Sequence, residues 1–465
     1  MRILIGNHID PIIRNRGDLR AWTQRVLWFA REGDLVVLCD EPDRQFLTYA
    51  TSYTGVNPTN LRVLVPPGGR HGGWLLDPES LTGTEFVQAV RDALGDGGPE
   101  QVEEIFALWP SAHVSRFAAA LGIEERFPGA GFFAQGGGEV GNNKATFRAL
   151  AAGAGVPIPS GAVCRSEHEA ADATAALLAR TGAVMVKQAH NGAGVGNQLV
   201  VRDVSLASDH VGARHIHHLG SDAPGTIVAY WRERWAWASA HGRFPVVVEE
   251  FAPDAVSVYS EHYVADDGTR PTEMGRLLYV GRRLSHQIVP LRGVDEEARA
   301  QLLQGGARLA EIYRALGYRG YLSADAIITV DGHVVFTEVN AQVSGSLHIY
   351  QVIAHSIVDT AAAPERSVVE YHVPPTWAVP DFDAFLTAVN EIGCAYDPAA
   401  RTGVIVSMPV IPLEPGRAQF VFCIAYAAEA DRQAVREALD KRFAAVPAGT
   451  YAASDHVGVP ASLTS

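Results

Sequence analysis

Two carboxylates and one amide side chain in the second half of the chain could hold a divalent cation. In residues 325–340, apolar runs flank Asp331-Gly332, a dipeptide typical of a two-residue turn between paired strands. Because alternate residues of a strand share a face, Glu338 and Asn340 would project together, with Asp325 beside them on the neighbouring strand. Oxygen ligands of this kind suit Mg²⁺. We therefore predict a magnesium site at these three residues.

A lysine followed by a glycine-rich loop could bind phosphates. Lys187 ends an apolar run, and Gly192, Gly194 and Gly196 follow before a second apolar run. Glycines let backbone N–H groups approach an anion closely, and the lysine supplies positive charge. The loop lacks the G-x-x-x-x-G-K-[ST] pattern, and its lysine precedes the glycines, unlike that of protein kinases. A flexible hairpin without a ligand is the alternative interpretation.

Two further segments could complete a nucleotide site. Lys144 begins a predicted helix over residues 144–152, and the N-terminus of a helix favours anions. Glu249-Glu250-Phe251 ends an apolar run and could form a hinge whose backbone contacts adenine while an acid contacts ribose. A buried strand that ends in a solvated acidic turn is the alternative for this second segment.

The elements around these residues predict several domains. The chain has 465 residues and is 47% hydrophobic, which favours a globular protein of two to four domains. Residues 1–133 alternate strand-like and helical runs, a pattern typical of a parallel α/β layer. The proline-rich stretch 363–380 indicates a linker or a crossing segment, and residues 381–465 predict a small α+β unit.

Composition argues against several classes of protein. The net charge of −14 argues against nucleic-acid partners. Apolar runs fall short of the roughly 18 residues that a membrane-spanning helix needs, so no membrane partner is expected. The four cysteines are far apart in the chain, which favours reduced thiols and a cytoplasmic location.

In their order along the chain, the two lysines, the glycine loop, the hinge and the acidic triad resemble the ATP-grasp superfamily. Within it, residues 139–144 and 339–346 are similar to those of pheganomycin-type peptide ligases. The resemblance implies a multidomain fold of the α/β and α+β classes. A Rossmann-like pre-ATP-grasp domain would cover residues 1–140, and a two-lobed ATP-grasp domain residues 141–364. A C-terminal α+β domain at 365–465 would help to shape the substrate entrance.

The resemblance also implies ATP and Mg²⁺ as cofactors, with two metal ions. It assigns phosphate contacts to Lys144, Lys187, Gly192, Gly194 and Gly196, adenine and ribose contacts to Glu249, Glu250, Phe251 and Asp254, and metal ligation to Asp325, Glu338 and Asn340. Asp254 is chosen for the ribose because Val256 occupies the position where relatives carry a carboxylate.

Arginines from another segment are expected at the transferred phosphate. Relatives carry an arginine near the metal triad, where this chain has Gln342 or Ser323. Residues 275–293 contain several arginines and no acid, and arginine suits bidentate contacts to phosphate and carboxylate. Arg283 and Arg292 are the predicted contacts to the γ-phosphate or an oxyanion, whereas other arginines of the segment would face solvent.

These features predict an ADP-forming ligase. A substrate carboxylate would attack the γ-phosphate to form an acyl phosphate, and the amine of an amino acid or peptide would then displace phosphate to form an amide. By resemblance, the reaction belongs to the biosynthesis of peptide antibiotics. The sequence leaves open whether the protein forms a homodimer. The alternatives are a phosphotransferase with a non-carboxylate acceptor and a non-catalytic nucleotide-binding protein.

Two other clusters carry weaker signals. His210, His215, His217 and His218 lack a standard metal-ligand spacing, so a metal site is not favoured. The tryptophans of residues 231–237 could stack on an aromatic substrate or form the packing face of a helix.

Overall fold

The structure is a computed structural model that describes residues 1–8, 18–192, 194–414 and 417–444. These residues divide into two compact units. One unit combines the chain up to residue 135 with the chain from residue 345 onward, and the other contains residues 136–344. The three-domain division at residues 140 and 364 stays a prediction.

In the first 135 residues, short apolar strands alternate with helices, as the sequence predicts. The strands are β1 (Arg2–Ile5), β2 (Leu35–Val37), β3 (Arg62–Leu64) and β4 (Glu104–Ala107). The helices are α1 (Arg20–Gln24), α2 (Arg44–Thr54), α3 (Thr84–Leu94), α4 (Ala112–Leu121) and α5 (Ala130–Ala134). The strands pair in parallel in the order β3–β2–β1–β4. Short 3₁₀ helices lie at Arg25–Phe29, Pro58–Asn60, Ser80–Thr82, Gly95–Gly97, Pro99–Gln101 and Glu124–Arg126.

Residues 136–344 contain two antiparallel-rich sheets. The first sheet consists of β5 (Gly161–Cys164), β6 (Ala183–Gln188), β7 (Asn197–Val201), β8 (His215–His218) and β9 (Val246–Glu250), in the order β5–β9–β6–β7–β8. The second contains β10 (Val256–Val264), β11 (Thr269–Val280), β12 (Arg283–Val289), β13 (Gly320–Ile328) and β14 (Val334–Asn340), in the order β14–β13–β10–β11–β12. The helices are α6 (Gly137–Gly141), α7 (Lys144–Gly153), α8 (Glu167–Thr181), α9 (Pro224–Ala238) and α10 (Glu296–Leu316), with a 3₁₀ helix at Val204–Leu206.

The two faces of the first sheet are both apolar but differ in what covers them. One face packs against α8 and α9 through a buried core that includes Val184, Val248 and Trp231. The opposite face carries a smaller buried cluster that includes Met185, Leu199 and Phe251. Because successive strand residues alternate between faces, Lys187 of β6 lies on the same face of the sheet as Met185.

Helix α10 approaches the second sheet closely at Gly306. A Cβ atom on Gly306 would lie 2.5 Å from both the Ser260 hydroxyl and the His262 ring. Both of these side chains are fully buried, and their polar atoms are 2.5 Å apart. The absence of a side chain at Gly306 is therefore what lets the helix cover this polar pair.

The chain from residue 345 onward begins with a buried π-helix, His348–Val358. It continues with β15 (Ser367–His372), α11 (Phe382–Glu391), β16 (Gly403–Glu414), β17 (Arg417–Tyr426) and α12 (Glu429–Phe443). The strands pair antiparallel in the order β15–β17–β16. Of the two interpretations of residues 363–380, the linker is wrong in part, because β15 lies within this stretch. Its prolines flank the strand rather than interrupt it, so every ladder donor of β15 is kept.

The predicted mixture of α/β and α+β layers is confirmed. All four cysteines are buried free thiols. Within the ranges given above, every helix is too short or too polar to cross a membrane.

Candidate active site

The three predicted metal ligands lie together on one hairpin. Strands β13 and β14 pair antiparallel, with Asp325 opposite Glu338 and Ser323 opposite Asn340. The Asn340 side-chain amide donates to Asp325 Oδ2 at 3.2 Å, and the Ser323 hydroxyl donates to Asp325 Oδ1 at 3.2 Å. The turn between the strands has Gly332 at a φ of 83°, a conformation that favours glycine. The register of the two strands shifts between Asp325 and Ala326, so a β-bulge interrupts strict alternation and sets Glu338, not Thr337, opposite Asp325.

The electrostatics of this hairpin fit a divalent cation. Burial and the neighbouring Glu338 carboxylate raise the pKa of Asp325 well above its ordinary value. Burial also opposes ionisation of Glu338, but Lys144 and Lys187 outweigh it and lower its pKa. Two crowded carboxylates with an amide oxygen form a hard-oxygen donor set, and Mg²⁺ there would favour the ionised form of both acids.

Both predicted phosphate lysines reach this region and are buried. Lys144 Nζ lies 2.8 Å from Glu338 Oε2 and donates to the Asn191 carbonyl at 2.7 Å. Lys187 Nζ lies 2.5 Å from Glu249 Oε1 and 3.3 Å from the Thr337 carbonyl. The ammonium groups thus connect the first sheet and α7 to β14, the strand that carries Glu338 and Asn340.

Local signals explain how α7 presents Lys144. Asn143 caps the helix, because its side-chain oxygen accepts from the backbone N–H groups of Ala145 and Thr146. Residues four apart share one face of a helix, so Lys144 lies beside Arg148. Arg148 is buried and was missed by the sequence analysis, although its spacing from Lys144 was a usable signal.

The two hinge acids point to opposite faces of the first sheet. Glu249 lies opposite Met185 and shares the face of Lys187, whereas Glu250 lies opposite Val184 on the face covered by helices. Glu250 pairs there with Arg180 of α8 at 3.1 Å. The Glu249 carboxylate is held on its other oxygen by Arg148, at 2.7 Å. Of the two acids, only Glu249 directs its side chain toward the lysines.

The glycine loop is a tight connection between β6 and β7. Gly194 has a φ of 71°, and its carbonyl accepts from Asn197 N–H at 3.3 Å. A Cβ atom on Gly194 would lie 2.9 Å from the backbone of Gly212, and one on Gly196 would lie 2.8 Å from Asn191 Cβ. Glycine is thus required at both positions by close backbone approach. Gly192 accepts from Val195 N–H at the start of the same turn.

Phe251 lies beside this polar network in an apolar cluster. It is 9% exposed and packs with Met185 and Leu199 on the face of Lys187. A flat apolar surface next to a lysine and a carboxylate could accept a nucleobase. The adenine role of Phe251 stays a prediction.

Three other predicted residues lie at the surface. Asp254 is exposed in a turn with a φ of 58°, and its ribose role stays a prediction. Arg283 is exposed at the end of the β11–β12 hairpin, opposite Val280, and Arg292 is exposed after β12. Both arginines therefore differ from the buried lysines, and their role at the transferred phosphate also stays a prediction.

Two more residues near the triad escaped the sequence analysis. The Asn142 side chain accepts from Ala341 N–H at 2.9 Å and donates to the Ala341 carbonyl at 3.4 Å, which fixes the backbone just after Asn340. Burial raises the pKa of Tyr279, and the charges of Asp325 and Glu338 raise it further. No short sequence pattern marks either residue.

Of the two weaker signals, the tryptophans form a packing face and the histidines lie largely at the surface. Trp231 is fully buried, and Trp235 and Trp237 pack against the same core, which favours the packing-face alternative. The cluster His215–His218 forms strand β8. Across the residues the structure describes, no three His, Cys, Asp or Glu side chains converge as a metal site. The hairpin site is a different arrangement, since an amide is its third ligand.

Comparison with known proteins bears on the fold. Residues 23–123 match the family model described as the Pre ATP-grasp domain. No curated protein is similar enough in sequence to count as a match.

Three solved structures are similar over nearly the whole chain. N5-carboxyaminoimidazole ribonucleotide synthetase from Thermus thermophilus is 14% identical with a TM-score of 0.55, covering 96% of this chain and 99% of its own. The L-amino acid ligase from Bacillus licheniformis is 13% identical with a TM-score of 0.52, covering 95% and 96%. The biotin carboxylase domain of the Hydrogenobacter thermophilus 2-oxoglutarate carboxylase, solved with MgADP, ADP and bicarbonate, is 14% identical with a TM-score of 0.55, covering 94% and 89%. At this identity the likeness concerns the fold, and the expected pre-ATP-grasp and ATP-grasp architecture is confirmed at that level.

Proposed function

We propose that this protein is an ATP-dependent ligase that joins a carboxylate to an amine and releases ADP and phosphate. The observation that carries the proposal is the contact of Lys144 with Glu338 at 2.8 Å, which joins a predicted phosphate lysine directly to the predicted metal triad. The fold shared with an L-amino acid ligase and with a carboxylase domain solved with MgADP supports this proposal.

The side chains would act mainly by positioning. Lys144 and Lys187 would hold the phosphates, and the face of Met185 and Phe251 would hold the base. When bound, Mg²⁺ on Asp325, Glu338 and Asn340 would neutralise charge on the phosphates, with two ions proposed. A substrate carboxylate oriented against the γ-phosphate would then form an acyl phosphate, and an amine would form the amide as phosphate leaves.

The finer proposal concerns the substrates. We propose an amino-acid-like carboxylate and the amine of a peptide or amino acid, in peptide natural-product biosynthesis, with a cytoplasmic location. This rests on the similarity of residues 139–144 and 339–346 to pheganomycin-type peptide ligases.

The test is ADP release by the purified full-length chain against a matrix of carboxylic acids and amines or short peptides. The ligase predicts ADP release that requires both a carboxylate and an amine. Release with a hydroxyl acceptor alone would indicate a phosphotransferase, and nucleotide binding without turnover would indicate a non-catalytic protein. AMP and pyrophosphate as products would refute the acyl-phosphate route.

Matched variants on one hairpin test the metal assignment. Glu338→Gln should abolish ADP release, because it removes a proposed metal ligand and the partner of Lys144. Asp331→Asn changes an exposed carboxylate of the turn on the same hairpin and should leave the rate within about twofold, since exposed substitutions have small effects. Equal rates for both variants would exclude Glu338 as a ligand.

A further inference from the structure

A buried chain of charges runs from α7 to Lys187. Arg148 Nη1 lies 2.7 Å from Glu249 Oε2, and Glu249 Oε1 lies 2.5 Å from Lys187 Nζ. The exposed fractions of the Arg148, Glu249 and Lys187 residues are 6%, 3% and 6%. One carboxylate is therefore shared by two cations in an interior setting, where charge pairing has large energetic consequences.

The second terminal nitrogen of the Arg148 guanidinium fixes the orientation of this side chain. Its Nη2 donates to the Pro159 carbonyl at 2.9 Å, just before β5. A guanidinium is a planar fork, so two acceptors on different segments hold it in one orientation, which a lysine could not reproduce. Arg148 of α7 thereby holds one carboxylate oxygen of Glu249, while Lys187 contacts the other oxygen.

The net charge of Arg148, Glu249 and Lys187 explains how this arrangement would help Lys187 to bind an anion. A carboxylate paired with Lys187 alone would cancel the charge of the lysine and compete with an incoming phosphate for its ammonium group. With Arg148 also bound to Glu249, the three groups keep one net positive charge. The lysine can then contact an anion without leaving a buried carboxylate unpaired.

We propose that Arg148 is a positioning residue for nucleotide binding, which acts through Glu249 to hold Lys187 in place and to keep its charge available. This rests on the proposed function only in that Lys187 contacts the nucleotide. Arg148 itself need not touch the nucleotide.

A double-mutant cycle tests the inference on the full-length chain, with the Kd of MgADP measured by calorimetry. Arg148→Met should weaken MgADP at least about tenfold when Glu249 is present, because it leaves the carboxylate to Lys187 alone. In the Glu249→Gln background, the same substitution should change the Kd less than about threefold, since contacting residues show strong coupling. At saturating ATP, kcat of Arg148→Met should stay within about threefold of the parent value. The reason is that the substitution would weaken nucleotide binding equally in the ground state and in the transition state.

The outcomes separate this inference from the proposed function. Equal fold-changes in both backgrounds would mean that Arg148 does not act through Glu249, and would overturn the inference alone. A parent chain that binds no MgADP would overturn both. If Arg148→Met does not fold, Arg148→Lys keeps the charge but loses the fork, and it should weaken MgADP at least about threefold. Unchanged affinity in Arg148→Lys would overturn the inference.

Discussion

Acid should destabilise residues 136–344 through His262, which is fully buried on β10. Burial lowers its pKa from 6.5 to about 4, so the folded state keeps the ring neutral where the unfolded chain would protonate it. The unfolded state then binds more protons, and stability falls as the pH drops below about 6.5. Below about pH 4 both states are protonated and the loss is complete.

The size of the effect follows from the two pKa values. Each unit of difference corresponds to 1.36 kcal/mol, so the full loss is about 3 kcal/mol. At pH 5 the unfolded chain is mostly protonated at this histidine and the folded chain mostly is not, which gives a loss of about 2 kcal/mol relative to pH 7.5. Loss on this scale is a sizeable share of the stability of a domain.

The assay compares the parent with His262→Gln, which stays neutral and can still bond to the Ser260 hydroxyl. Hydrogen exchange of the β10 and β13 amides at pH 7.5 and pH 5, corrected for intrinsic exchange, reads the opening free energy of this unit by itself. The parent should lose about 2 kcal/mol more than His262→Gln between the two pH values. His333→Gln alters an exposed histidine and should behave as the parent does. Equal pH dependence in parent and His262→Gln would refute the reasoning.

Three further perturbations test separate features. Gly306→Ala should destabilise the protein by roughly 1–3 kcal/mol in urea unfolding, because its Cβ collides with a buried polar pair, whereas Gly153→Ala at an open helix position should be neutral or stabilising. Arg180→Ala should cost at most about 1 kcal/mol and leave the Kd of ADP unchanged, because its partner Glu250 faces away from the lysines. Asn142→Ala should raise the Mg²⁺ concentration for half-maximal turnover about tenfold or more, because its side chain fixes the backbone beside the proposed metal ligands.

Side-chain alternation predicts part of the acidic triad. The turn at Asp331-Gly332 sets the pairing of two strands, and residues two apart on a strand must share a face. Glu338 and Asn340 therefore share a face, but Asp325 joins them only because a β-bulge between the two strands shifts their register by one residue. The strand and helix pattern of residues 1–133 was equally local, and its parallel layer was predictable for the same reason.

Features that depend on tertiary pairing were not predictable in this way. Nothing in Glu249-Glu250 says which acid faces the lysines, because a shift of one residue in register exchanges them. The proline-rich stretch hid β15, since its pairing partner β17 lies some fifty residues further along the chain. Arg148 carried a local signal, its spacing from Lys144, but the carboxylate that gives it a role comes from β9.

The charges of the site explain why metal and nucleotide belong together in the proposed function. The charged side chains of the site form two groups, one of Glu249 with Arg148 and Lys187 and one of Glu338 with Lys144, next to Asp325. Because Glu338 pairs with Lys144, the ammonium group of that lysine is not available to a triphosphate that arrives without its own positive charge. Mg²⁺ on the acidic triad would supply that charge and at the same time release Lys144 from Glu338 for a phosphate oxygen. The contact between Lys144 and Glu338 is then the link through which metal binding would favour nucleotide binding, and by reciprocity the nucleotide would favour the metal.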